Sequence, residues 1–178
     1  MTDRSALLEL IKDEAVVHGK VTLSSGQEAD YYVDLRRVTL SAAAAPLVGR
    51  VMLEATKELQ YDAVGGLTLG ADPVAAAMLH AASAAGRDVD AFVVRKEGKA
   101  HGLQRRIEGP DVAGRRVLAI EDTSTTGSSV LAAVEALRAA GADVVGCAVI
   151  VDRGARDAVI AAGLRYIAAY ERSDLGLE

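Results

Sequence analysis

Apolar residues recur along this chain in two rhythms. Ala6, Leu7, Leu10, Ile11 and Ala15 stand at helical spacing, which predicts a helix over 5–17. Two short strand-like runs follow, Val21-Thr22-Leu23 and Tyr31-Tyr32-Val33-Asp34-Leu35, on either side of the turn Ser24-Ser25-Gly26. An alanine-rich stretch over 41–59 predicts a long helix with Ser41 as its N-cap and Pro46 near its first turns. From there strand and helix alternate. Strands are expected over 63–67, 91–94, 116–120, 143–151 and 166–169, and helices over 72–85, 127–140 and 155–162. Gly141 and Gly163 close the last two helices.

The strands are continuous apolar runs, as expected where helices cover both faces of a sheet. Strand-helix alternation then predicts an α/β fold with a central, mostly parallel sheet and right-handed crossovers. Ligands of such sheets gather at the carboxyl ends of the strands, so chemistry is sought in the loops that follow strands. No repeat, low-complexity tract or long linker divides the chain, and one domain over 1–178 is expected.

Composition narrows the function. The 178 residues carry 25 acids against 20 bases, a net charge of −5, and only 3% aromatics. That balance argues against a dedicated nucleic-acid surface, which needs a basic face and stacking rings. The single cysteine, Cys147 in the run VVGCAVIV, leaves no disulfide framework or cysteine-based zinc site and reads as a core residue. No run reaches the roughly 18 apolar residues of a membrane span. The opening MTDRSALLELIKDE lacks the apolar stretch of a signal peptide, so a cytoplasmic protein is expected.

Three loops concentrate the chemistry. The apolar run 117–120 leads into Glu121-Asp122 and then Thr123-Ser124-Thr125-Thr126-Gly127-Ser128-Ser129, where a helix begins. The amides and hydroxyls of such a turn, with the helix N-terminus, make an anion cradle. Two carboxylates would repel a phosphate beside them but suit hydroxyls, such as those of a ribose, or a metal beyond them. One ligand carrying both a ribose and a phosphate satisfies both halves. The second loop, after strand 91–94, reads Arg95-Lys96-Glu97-Gly98-Lys99-Ala100-His101-Gly102-Leu103-Gln104-Arg105-Arg106. A cationic loop with two glycines can close on an anionic leaving group and neutralise charge as a bond breaks. The third is Asp152-Arg153, where a forked guanidinium suits a planar anion.

The run 117–129 resembles the phosphoribosyl-pyrophosphate (PRPP) motif of the type I phosphoribosyltransferases. The string RKEGKAHG at 95–102 is similar to the catalytic loop RKxxKxHG of the orotate phosphoribosyltransferases, and 22–34 resembles that family's N-terminal hood segment. The resemblance spans about residues 15–155. It implies the type I phosphoribosyltransferase fold, with a small hood over about 1–40 and the core over 41–178. It also implies transfer of phosphoribose from PRPP to orotate, giving orotidine monophosphate and pyrophosphate in pyrimidine biosynthesis.

Site roles follow from the same resemblance. Glu121 and Asp122 would hold the ribose hydroxyls, and Thr123 to Ser129 the 5′-phosphate. Arg95, Lys96, Lys99 and His101 would stabilise departing pyrophosphate, with His101 either a proton donor or a plain hydrogen-bond partner. Thr125, Arg153 and Tyr32 would meet orotate, although Tyr31 and Tyr32 also fit ordinary strand core. Mg²⁺ would be held mainly through substrate and water, with no direct protein ligand. A homodimer is implied, its cationic loop reaching into the neighbouring site. No fused decarboxylase is expected.

Two positions depart from the family pattern. Ser24 and Gly70 stand where many members carry lysine. Asp72 could reach a magnesium through water or cap the following helix. The rival readings are a purine or uracil phosphoribosyltransferase and a non-enzymatic PRPP-binding regulator. The intact 95–102 loop favours orotate over the first, and the acidic net charge argues against the second.

Overall fold

The structure is a computed structural model and describes residues 1–22, 26, 28–97 and 105–177. Thr2 and Ser5 form a capping box at the start of α1 (Asp3–Leu10), and one π turn, Ile11–Ala15, leads on to the first strand. β1 (Val16–Thr22) and β2 (Glu28–Val33) make an antiparallel ribbon. The first helix is thus shorter than its periodicity predicts. Val16 and Val17 are already strand, paired with Val33 and Tyr32, and β-branched side chains favour that state.

The helix expected over 41–59 is also shorter. A one-turn helix that the sequence did not predict, α2 (Arg36–Thr39), precedes it, and α3 (Ala45–Ala55) starts beyond Ser41, whose Oγ accepts the Ala44 amide at 3.2 Å. The helix stops at Thr56. That hydroxyl donates to the Met52 carbonyl at 2.8 Å and lies 2.7 Å from the Tyr61 hydroxyl, which turns the chain toward the next strand.

The remainder follows the predicted alternation: β3 (Ala63–Leu67), α4 (Ala71–Ala84), β4 (Asp90–Val94), β5 (Ile107–Glu108), β6 (Arg116–Ser124), α5 (Ser128–Ala139), β7 (Asp143–Asp152), α6 (Arg156–Ala161) and β8 (Tyr166–Glu171). The sheet order is β5-β4-β3-β6-β7-β8, parallel except for β5. β5 was not legible in the sequence because two residues carry no periodicity.

Successive strand residues point to opposite faces, and both faces are buried. Leu118 and Ile120 of β6 join Leu7, Met52, Met78 and Ile150 on one side. Val117 and Ala119 join Phe92, Leu137, Val149 and Val159 on the other. Cys147 lies fully buried in this second cluster, as expected, and burial pushes its thiol up to about 12. Among the described residues no helix is long and apolar enough to cross a membrane.

One glycine sets the floor of the site. A Cβ on Gly66 would overlap the Ile120 carbonyl oxygen and stand 2.8 Å from Ala71 Cβ. Only glycine lets the start of α4 press against the seam between β3 and β6.

Candidate active site

β6 does not stop where its apolar residues do. Its ladder with β7 runs on through Thr123 and Ser124, paired with Val151 and Asp152. Glu121 and Asp122 therefore belong to a central strand, rather than to a loop after it, and both are buried. Glu121 Oε1 accepts the Asp122 amide at 3.1 Å, and Asp122 Oδ1 accepts the Thr123 amide at 2.7 Å. Both side chains converge on Gly70. A Cβ there would lie 2.7 Å from Asp122 Oδ1 and closer still to Glu121 Oε1. Burial, and then the negative charge of Asp122, push the Glu121 carboxyl up to about 9. Two neighbouring carboxyls withdrawn from water resist double ionisation.

A polar cleft of about 320 Å³ opens in front of the pair. Thr68, Leu69 and Gly70 wall one side, Lys96 and Arg36 line it, and Thr123 and Ser129 close it toward α5. Thr68 Oγ1 donates to Asp72 Oδ2 at 2.6 Å, while the buried Asp72 Oδ1 has no partner among the described residues. Asp72 is not the helix cap. Gly70 holds that position and Asp72 lies in the first turn, its carboxyl raised by burial.

The turn after β6 is shaped by its own hydroxyls. Buried Ser124 accepts the Gly127 amide at 3.2 Å, and Thr126 Oγ1 accepts the Ser128 amide at 3.3 Å. Gly127 has φ +79°, and a Cβ on it would stand 3.1 Å from Val159 Cγ2, so both conformation and space require glycine. Thr125 and Thr126 are exposed ahead of the α5 N-terminus, which begins at Ser128, one residue later than predicted.

Arg153 is brought beside this turn. Its amide donates to the Ser124 carbonyl at 2.8 Å, and the next residue, Gly154, approaches the Thr125 carbonyl. Arg153 Nε is buried with no acceptor among the described residues. Buried Asp152 orders the corner. Its Oδ1 accepts the Gly154 amide at 3.0 Å, the Ala155 amide at 2.8 Å and the Tyr166 hydroxyl at 3.0 Å. Along β2, Tyr31 packs on the first core cluster, so Tyr32 faces the other way. Tyr31 thus fits the strand-core reading.

Of the cationic loop, residues 95–97 and 105–106 are described. Arg106 pins its ends by donating to the carbonyls of Arg95 at 3.2 Å and Lys96 at 3.1 Å. Lys96 lines the cleft, whereas Arg95 Nη1 lies 3.5 Å from Glu108 Oε1 at the base of the loop. Lys99, His101 and Ser24 lie outside the described residues. One contributor was missed in the sequence, Arg36, which lines the cleft; Arg106 and Asp152 stood in the named loops, but not as the pin of the loop and the anchor of the Arg153 corner. Arg36 carried a usable signal, since it closely follows the end of β2.

Among the described residues no three His, Cys, Asp or Glu side chains are arranged to hold a metal ion. The carboxylate oxygens of Asp122 and the unpartnered Asp72 Oδ1 are hard donors, and they fit a divalent cation carried mainly by substrate and water.

The chain and its fold are similar to known proteins. A family model described as a phosphoribosyl transferase domain matches residues 44–165, and the chain belongs to that family of enzymes. The orotate phosphoribosyltransferase of Streptomyces avermitilis is 69% identical over 178 residues, covering 98% of each chain. The crystal structure of Mycobacterium tuberculosis orotate phosphoribosyltransferase with Fe(III) dicitrate matches with a TM-score of 0.90 at 58% identity, covering 99% of this chain and 100% of that one. A complex of the same enzyme with PRPP gives 0.86 at 53% identity, with the same coverage. Within the family, the chain belongs to the orotate phosphoribosyltransferases.

Proposed function

We propose that this chain transfers phosphoribose from PRPP to orotate, releasing pyrophosphate and orotidine 5′-monophosphate for pyrimidine biosynthesis. The observation that carries the reading is the buried Glu121–Asp122 pair at the end of a central strand, beside a hydroxyl-rich turn and a helix N-terminus. The whole chain, 1–178, acts as one phosphoribosyltransferase domain in the cytoplasm, with 1–40 as a hood over the base.

Each group then has a task. Glu121 and Asp122 take the ribose hydroxyls, held in place by the backbone ladder rather than by a loop. Thr123 to Ser129, with the α5 N-terminus, take the 5′-phosphate. Arg153, held beside the turn after β6, takes orotate through the outer edge of its guanidinium. Tyr32 and Thr125 complete the base site. The anomeric carbon passes through oxocarbenium-like character as the ring nitrogen attacks, so no covalent enzyme nucleophile is required. Lys96, with Arg95, Lys99 and His101 of the same loop, neutralises the leaving pyrophosphate. Asp122 and Asp72 would hold Mg²⁺ mainly through water, and the ion would supply Lewis-acid stabilisation of substrate charge there.

The working enzyme is a homodimer in which Lys96 serves its own cleft and the rest of the loop after β4, with Lys99, serves the neighbouring site. The outer face of α3 and α4 supports this. It forms a groove of about 990 Å³ with apolar walls that include Leu40, Pro46, Leu53, Ala77 and Ala81. A contiguous apolar face of this kind suits a protein partner. Mixing Lys99→Ala and Asp122→Asn chains tests the arrangement. Each variant alone should be nearly inactive, and mixed dimers should regain a share of wild-type turnover. No recovery in dimers shown to be mixed would refute action across the interface.

A further inference from the structure

We propose that Arg36 is a pyrophosphate-binding residue of the site, a role that rests on the reading of the cleft as the PRPP site. A pyrophosphate leaving group needs cationic partners. The cleft wall already carries Asp34, Glu121 and Asp122, so anion binding there depends on positive charge brought in by side chains. Gly70 cannot supply it. A side chain at that position would begin in contact with both buried carboxylates. Among the described residues the cations lining the cleft are Arg36 and Lys96. They reach it from different elements, Lys96 from the loop after β4 and Arg36 from the turn after β2.

Arg36 is built for the task. Its Nε donates to Asp34 Oδ1 at 2.8 Å, and its own amide donates to the same oxygen at 3.2 Å. The Asp34 amide in turn donates to the Ala15 carbonyl at 2.9 Å, which ties this segment to the end of the π turn. The guanidinium is thus fixed through one edge. Its two Nη groups make no hydrogen bond among the described residues, and half of the side chain remains exposed. A guanidinium held in this way presents a planar fork that matches two phosphoryl oxygens. The field of Asp122 reaches it, which places it on the same cleft as the ribose pair. Arg36 shares that cleft with the Thr68–Gly70 segment, whereas Arg153 is not among the residues that line it. That placement favours pyrophosphate over the orotate carboxylate.

Binding and turnover of Arg36→Gln, Arg36→Lys and Asp122→Asn, each with Mg²⁺ present, test the assignment. Arg36→Gln should weaken PRPP and pyrophosphate by about tenfold or more, the scale of one charge-assisted hydrogen bond, and leave orotidine monophosphate affinity unchanged. Its kcat should fall as well, because the charge on the leaving group grows in the transition state. Arg36→Lys should recover part of the loss by keeping the charge without the fork. Equal weakening of PRPP and orotidine monophosphate, weakening of orotate alone, or no change at all would each overturn the assignment. Asp122→Asn separates the two levels of the argument. If it weakens both PRPP and orotidine monophosphate while Arg36→Gln weakens neither, only the role of Arg36 falls. If it weakens neither ligand, the reading of the cleft falls and the role of Arg36 with it.

Discussion

Replacing Gly70 by alanine would strike the site through two atoms. Gly70 has φ −58° and ψ −39°, so alanine fits its backbone without strain. The added methyl, however, would stand 2.7 Å from Asp122 Oδ1 and nearer still to Glu121 Oε1. Ordinary contact begins near 3.4 Å, so the Asp122 oxygen must retreat by about 0.7 Å and the Glu121 oxygen by more. A misplacement of about 1 Å in a positioned group costs on the order of a hundredfold in rate. The effect on folding is smaller. Reduced chain entropy in the unfolded state returns about 0.4–1 kcal/mol, set against about 1–3 kcal/mol for overpacking. The melting temperature should therefore drop by only a few degrees, since about 1 kcal/mol moves a domain of this size by roughly 2–4 °C. Following orotate loss by absorbance, with PRPP and Mg²⁺ supplied, should show kcat/KM for PRPP down by about two orders of magnitude in a protein that still melts cooperatively. A kcat/KM within about twofold of wild type would refute the placement of both carboxylates at the ribose.

Two further substitutions separate the parts of the site. The Glu121 carboxyl holds its proton more tightly in the folded chain than in the unfolded one, where it titrates near 4.5. The stability this contributes is full below that pH and is lost as pH rises through about 9. Denaturant melts of the ligand-free protein should lose stability as pH rises from 4.5 to 7, and Glu121→Gln should flatten the slope. An unchanged slope would contradict the burial argument. Arg153→Ala should raise KM for orotate by about ten- to a hundredfold and barely move KM for PRPP, as steady-state kinetics would show. A matching rise in KM for PRPP would place Arg153 elsewhere.

The core of this enzyme was legible because burial on both faces leaves a mark on every strand. The runs at 63–67, 116–120 and 143–151 are continuous, and β3, β6 and β7 follow them closely. Legibility failed where a polar residue continues an element. β6 extends to Ser124 because backbone pairing with β7 persists after the apolar pattern ends. It failed again where local competition shortens a helix, as when Val16 and Val17 leave the first helix for β1.

The site shows the same division. Glu121, Asp122 and the turn at 123–129 form one contiguous string and could be read directly. The position of Gly70 depends on where two other side chains end, and that of Arg36 on α2, which follows the β1–β2 ribbon. Neither is a property of neighbouring sequence. At Gly70, where many family members carry lysine, a Cβ would meet the ends of both carboxylates, which would have to shift to admit it.

Turnover of orotate by the purified chain with PRPP and Mg²⁺, measured against uracil, adenine and hypoxanthine under the same conditions, tests the central claim most directly. The account predicts stoichiometric orotidine 5′-monophosphate and pyrophosphate from orotate and negligible product from the other bases. Turnover with another base in place of orotate would contradict it.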